Sequence, residues 1–270
     1  MPLDIVIDRA HGGRWTSLRA GDREWLWRRD APEREKSVPG DAFVDAGGLE
    51  ECIPTVRGTP DHGDAWSRPW TREGEADVVR CDRFTLARTV RGNTGGAEAD
   101  YVLTADAGFR FVWAAHALLG LSDEARLHLR EGARTRLFPE AAPLLDGVWP
   151  EGAPWVEGNW PAPRGLGLDR FGPDDGTAVG AVVDVSRCCV HDGADRLSLA
   201  LEADGQPLSI ALWRNLGGFP TRDPYRSTGV EPMLGRVFDL AEAGPGDAAR
   251  VPASGEVRWR LTLTTRCRCA

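Results

Sequence analysis

The stretch Tyr101-Val-Leu-Thr-Ala-Asp-Ala-Gly-Phe-Arg-Phe-Val-Trp-Ala-Ala-His-Ala-Leu-Leu119 decides the fold. Its two ends, residues 101–104 and 109–119, are short runs rich in aromatic and aliphatic side chains, and Asp106-Ala107-Gly108 between them has the chemistry of a hairpin turn. Working outward, the same alternation recurs. Strands are predicted upstream over 3–8, 15–19, 23–27 and 78–90, and downstream over 126–129, 135–138, 178–185, 197–202, 208–213 and 257–265. Ala20-Gly21-Asp22, Glu131-Gly132 and Asp204-Gly205 supply further turns, and no stretch reads as a long helix. Register shows in 126–130, where Leu127 and Leu129 alternate with Arg126, His128 and Arg130, which puts His128 on the wet face. The pattern predicts an all-β protein of stacked antiparallel sheets.

Composition narrows the function classes. With 270 residues, 41% hydrophobic and 27% charged, the chain can bury a sizeable core, and nothing linker-like divides it, so 1–270 reads as a single domain. Its net charge of −8, with basic residues scattered, argues against nucleic acid as a partner. Lys36 is the sole lysine, which removes most routes to Schiff-base chemistry and leaves arginine to hold any phosphate. The first residues lack a basic segment followed by an apolar run, and no 18-residue apolar stretch occurs, so a cytoplasmic protein without membrane contact is expected. Six cysteines, two of them adjacent at Cys188-Cys189, are too few for a disulfide framework and are expected to be mostly reduced and buried. Cys267-Arg268-Cys269 lacks a second ligand pair, so no metal is predicted.

Two regions suggest a ligand. Residues 139–175 are rich in Pro, Gly and Trp without periodicity, a candidate cleft wall. Eleven tryptophans, with Trp66, Trp70, Trp149, Trp155 and Trp160 near turn residues, offer faces suited to the C–H surface of a pyranose; most should fill the core and one or two should meet ligand.

Three titratable residues stand in marked settings. His62 lies in Pro60-Asp61-His62-Gly63-Asp64, His116 interrupts an apolar strand, and Glu231 sits between apolar neighbours in Gly229-Val230-Glu231-Pro232-Met233. Buried, a glutamate is pushed towards its neutral form and so is a histidine, which poises both for proton transfer near neutral pH. Each also has a structural reading: His62 bonded to its own loop, His116 as a satisfied core histidine, Glu231 paired with Arg226 or Arg236.

The order of motifs bears on that choice. Asp45-Ala-Gly-Gly-Leu-Glu-Glu-Cys-Ile-Pro-Thr-Val56, then Asp61-His62-Gly63 with Trp66 and Trp70, then His116, then Leu212-Trp213-Arg214-Asn215, then Gly229-Val230-Glu231-Pro232 resembles the aldose 1-epimerase (galactose mutarotase-like) superfamily over nearly the whole chain. The resemblance implies a β-supersandwich with an open sugar-binding cleft, a monosaccharide substrate and no cofactor. It further implies Glu231 as the general base on the C1 hydroxyl, His116 as the acid on the ring oxygen, and His62 as the histidine that holds the sugar. Asp169, Trp66, Trp213 and Arg68 complete the predicted substrate-binding set. The chain departs from the family pattern where Ala115 and Ala117 flank His116, and an Asn-Arg segment upstream of His62 is missing, so the contacts near His116 differ.

Alternatives share the fold or leave it. A hexose-6-phosphate mutarotase would need Arg68, Arg72 or Arg170 to converge on phosphate. A non-catalytic sugar-binding protein would keep the groove without needing a matched acid and base. A metal hydrolase built on Asp61, His62 and Asp64 fits no zinc-ligand spacing, and no Gly-x-Ser-x-Gly, P-loop or dinucleotide fingerprint is present. A monomer or homodimer is expected.

Overall fold

The computed structural model describes residues 2–267. Among these, the apolar runs build two large antiparallel sheets. The larger has ten strands in the spatial order Asp4–Asp8, Arg14–Ala20, Leu49–Cys52, Trp113–Leu119, Arg226–Leu234, Leu208–Leu216, Thr177–Val183, Arg134–Leu137 and Val156–Asn159, with Arg23–Glu24 paired to the second. The smaller has eight, Arg126–His128, Arg187–Asp192, Asp195–Ala203, Glu256–Thr264, Gly96–Ala105, Phe84–Asn93, Ala76–Arg80 and Thr71–Glu73. Arg110–Phe111 and Ala249–Arg250 form a short separate ribbon.

Side-chain alternation sends one face of each sheet into a shared core. On Trp113–Leu119, Trp113, Ala115, Ala117 and Leu119 enter that core, while Ala114 joins a second apolar cluster on the opposite face of the sheet. Burying each large aliphatic side chain contributes roughly 1.5–3 kcal/mol. Leu199, Leu261 and Leu263 from the smaller sheet and Leu49, Val179 and Leu212 from the larger are fully buried in this way. Trp259 stacks on Tyr101 at 5.1 Å and meets Trp113 at 5.1 Å, which ties the sheets together with aromatic area.

An ion pair is buried between the layers. Arg88 of the smaller sheet and Glu51 of the larger lie 2.6 Å apart with both side chains fully enclosed. Glu51 also accepts hydrogen bonds from Tyr101 Oη at 2.9 Å and Trp113 Nε1 at 2.7 Å, and Arg88 donates to the Gly13 carbonyl at 2.7 Å. A buried pair is tolerable when most of its remaining lone pairs and protons are satisfied in this way; here Arg88 Nε is left without a partner.

The structure corrects several sequence expectations. The run 78–90 is two strands, because Cys81-Asp82-Arg83 makes a tight reversal closed by Cys81 N–H to Phe84 O at 2.9 Å. The run 109–119 breaks at Val112, whose N–H bonds to Pro54 rather than to a ladder. Residues 139–175 contribute one short edge strand, Val156–Asn159, and two short helical turns, Pro139–Leu144 and Pro163–Gly165, and are otherwise irregular. Cys189 and Cys267 form a disulfide, whereas Cys52, Cys81 and Cys188 are free thiols. Cys269 of the terminal Cys-Arg-Cys lies outside the described residues. No helix among the described residues is long and apolar enough to cross a membrane.

Candidate functional site

A cleft of about 640 Å³ opens on the face of the larger sheet that carries Ala114, away from the shared core. That volume is in the range of small-molecule sites.

Its floor is made by two neighbouring strands. Ala114 faces Met233 and Leu118 faces Gly229, and the same register brings His116 opposite Glu231. Pairing is interrupted over residues 115–117, where Pro232, with no N–H to give, sits in the facing strand. The two side chains face each other, with His116 Nε2 3.7 Å from Glu231 Oε1, and Glu231 Oε2 is buried with no hydrogen-bond partner. Burial pushes the Glu231 pKa up, against the pull of His116 and Arg57. Burial likewise pushes the His116 pKa down, opposed by Glu231. Gly229 makes room for the carboxylate, since a Cβ there would lie 2.3 Å from Glu231 Oε1.

The wall over this pair comes from the loop after Leu49–Cys52. His62 adopts φ 57°, and Gly63 at φ 80° passes so close to Ile53 that a Cβ would meet its carbonyl oxygen at 2.0 Å. This tight return, closed by His62 N–H to Val56 O and Asp64 N–H to Ile53 O, turns the His62 ring perpendicular to that of His116, with centroids 5.0 Å apart. Phe43 stacks on the other face of His62 at 3.7 Å. His62 Nδ1 lies 2.9 Å from Asp61 Oδ1. Burial raises the Asp61 pKa, but the bond and charge of His62 outweigh it and hold the carboxyl below its usual value. An ionised Asp61 only accepts, so Nδ1–H donates to it, and Nε2 is left to face the cleft.

Further wall residues were not marked by the sequence reading. Arg57 pairs with Glu140 at 2.7 Å and lies over the Phe238 ring at 4.4 Å; Gly180 leaves space for its guanidinium. Tyr225 Oη donates to Asp45 at 2.6 Å while its ring stacks on Trp27. Buried Asn215 holds the intervening loop: its Nδ2 donates to the carbonyls of Phe219 and Tyr225, and its Oδ1 accepts from Gly218 and Phe219 N–H. Asp45 and Asn215 fall within the motifs quoted above, so a signal existed for both; Arg57 directly follows one of them.

Of the predicted set, His62, His116, Glu231 and Trp213 line the cleft. Trp66 does not; it is buried behind Phe43, edge to face at 5.0 Å, with its Nε1 donating to the Asp61 carbonyl. Arg68 reaches Asp82 at 3.4 Å, outside the cleft, and Arg72 pairs with Asp77. Asp169 is likewise elsewhere, its carbonyl accepting from Leu127 N–H on the smaller sheet, and Arg170 lines a different hollow. From 139–175 only Glu140 lines the cleft.

Cys52, His62 and His116 offer donor atoms within 4.8 Å of one another, a set that could hold a metal ion. The Cys52 thiol, however, is driven far above its usual pKa by burial and next by the charge of Glu231, which opposes the thiolate a metal needs.

No protein-family model and no curated protein matches the chain. Solved structures do. The Slr1438 protein of Synechocystis sp. PCC 6803 superposes with a TM-score of 0.70 at 12% identity, over 98% of this chain and 96% of that one. A galactose mutarotase-like protein of Lactobacillus casei ATCC 334 gives 0.61 at 17% identity over 97% and 96%. A galactose mutarotase related enzyme of Lactobacillus acidophilus gives 0.62 at 13% over 98% and 95%. The chain therefore has the galactose mutarotase-like fold, a β-supersandwich of antiparallel sheets.

Proposed function

We propose that the protein is an aldose 1-epimerase-like isomerase that interconverts the α and β anomers of a monosaccharide without a cofactor. The observation that carries this reading is the facing pair on the cleft floor: a buried carboxylate with one unpartnered oxygen, 3.7 Å from a buried imidazole. Glu231 takes the proton of the C1 hydroxyl as His116 gives one to the ring oxygen; the C1–O5 bond breaks, the aldehyde rotates about C1–C2, and reclosure returns both protons. His62, fixed by Asp61 and Phe43, offers Nε2 to a sugar hydroxyl. Trp213 and Phe219, edge to face at 5.7 Å, supply apolar surface for the C–H face of the ring. A cytoplasmic monomer or homodimer goes with this reading.

Arg29 and Arg57 line the cleft in place of Arg68, Arg72 and Arg170, and a 6-phosphorylated aldose would have to be held by them. The test is anomeric exchange by NMR saturation transfer over free and 6-phosphorylated aldoses, with Glu231→Gln and His116→Asn beside the native protein. Exchange above the spontaneous rate, lost in both variants, is expected. Binding of a sugar with only spontaneous exchange would overturn the catalytic reading and leave a sugar-binding protein.

A further inference from the structure

A second hollow, of about 690 Å³, lies on the smaller sheet, far in the chain's topology from the cleft floor. Its centre is a row of basic residues set directly opposite one another across adjacent strands. Arg170 is bridged to Arg126, Arg126 faces His191, and His191 faces Arg196, with all four lining the same hollow. His128, two residues along the strand from Arg126, lines it too, its ring centroid 4.0 Å from that of His191.

Like charges directly opposite across strands destabilise a sheet. For Arg126 and Arg196 no described carboxylate offsets that cost. Among the described residues no carboxylate lies within ion-pair distance of Arg126 or Arg196, and Arg170 has only Asp169, at 3.9 Å. The two lining carboxylates are Asp123 and Glu124, and Asp123 is 3.7 Å from Arg226, outside the row. Arg196 is held in place by the carbonyls of Gly193 and Asp195, at 2.8 and 2.7 Å. His128 Nε2 is buried with no hydrogen-bond partner. Two arginines set against like charge with no described carboxylate to pair them point to a ligand that completes the balance. What completes this one has to be anionic.

We infer that this hollow is a binding site for a small phosphorylated anion, a phosphate monoester or diphosphate, clamped by Arg126, Arg170 and Arg196 with His128 and His191 beneath it. Guanidinium groups match phosphate oxygens in planar, paired hydrogen bonds, and three of them round one hollow exceed what a single carboxylate would need. The volume exceeds a bare phosphate and leaves space for the group that carries it. Burial followed by the nearby arginines holds the His128 pKa down, and an anion in the hollow would reverse the second effect. The site is separate from the cleft and does not depend on the proposed isomerase activity.

The test uses the full chain with inorganic phosphate and pyrophosphate as probes, titrated by calorimetry at physiological ionic strength and followed by histidine ring NMR signals. Saturable binding is expected, tighter for pyrophosphate, with His128 and His191 signals moving and those of His62 and His116 unmoved. Arg126→Ala and Arg196→Ala should each weaken binding roughly tenfold or more, while Arg57→Ala leaves it unchanged. Removing one charge from the row should also raise the Tm of the anion-free protein, a readout available even where binding is too weak to titrate in the variant. Absence of saturable binding to the native protein, native affinity retained in both arginine variants, or shifts confined to the cleft histidines would overturn the proposal.

Discussion

The two hollows each hold a pair of histidines, with ring centroids 5.0 Å apart in the cleft and 4.0 Å apart on the smaller sheet. Burial depresses the pKa of His116, His128 and His191 alike. The next influence differs in sign. For His116 it is Glu231, which favours the proton; for His128 it is Arg126, which disfavours it. An imidazole beside a carboxylate of raised pKa can pass protons in either direction, whereas an imidazole among fixed guanidinium charges is held neutral by the same field that attracts anions. Histidine content therefore says little about function until the neighbouring charge is known.

Breaking the cleft side of this contrast should have the largest effect. Glu231→Gln keeps the volume and removes the proposed base, so the proposed anomeric exchange should fall by roughly 10²–10⁴-fold, measured by saturation transfer, with pyrophosphate binding untouched. His62→Gln removes a ring fixed on Asp61 and Phe43 and should slow exchange by about 10²-fold, the scale of losing one positioned polar contact in a transition state. Asn215→Ala acts at one remove. It leaves the loop from Gly218 to Tyr225 without its central clamp, so stability should drop by roughly 1–3 kcal/mol in denaturant titrations. The sugar KM should rise more than kcat falls, because Phe219 and Tyr225 wall the cleft but do not touch the floor pair. An unchanged KM in that variant would show that the loop takes no part in binding.

The layered β architecture was legible because core-facing and outward-facing side chains alternate, as at 197–202, where burial follows the predicted period. His116 was legible for the same reason, as a polar residue in an apolar run. The strand that carries Glu231, Arg226–Leu234, was not, since Gly229 and Pro232 are poor strand residues; here tertiary need overrides propensity, one to make room for the carboxylate and the other to open the ladder beside it. The wall was less legible still. Asp45 and Tyr225 meet across 180 positions, and no local pattern encodes such a contact. A place near turn residues suggested Trp66, and the need for an arginine to hold phosphate suggested Arg68, as ligand contacts, but the loop reverses at Gly63 and sends Trp66 behind Phe43 and Arg68 towards Asp82. Asp169 had only its company of Arg170 and Phe171 to suggest it, and that company lies on the smaller sheet beside the basic hollow.

The smallest effect is the one that separates catalytic strain from mere burial. Glu231 has a folded-state pKa raised above the ordinary 4.5, so between those values the folded protein holds more protons than the unfolded chain. Stability linked to this group is fully present below pH 4.5 and declines as the pH rises through the raised value. Towards neutral pH the buried carboxylate, with one oxygen unpartnered, is thus a liability that Gln does not carry. Glu231→Gln should melt at a higher temperature than the native protein at pH 7, by on the order of 1 kcal/mol or about 2 °C for a chain of this size, and the gap should close as the pH approaches 4. His116 works against this trend: its depressed pKa gives stability that is present above 6.5 and lost on acidification, in both proteins, so it drops out of the difference except where loss of the Glu231 charge depresses it further. A melting-temperature gap that does not vary with pH would mean that the carboxylate is no more costly folded than unfolded, and the cleft would then lack the raised base on which its contrast with the basic hollow depends.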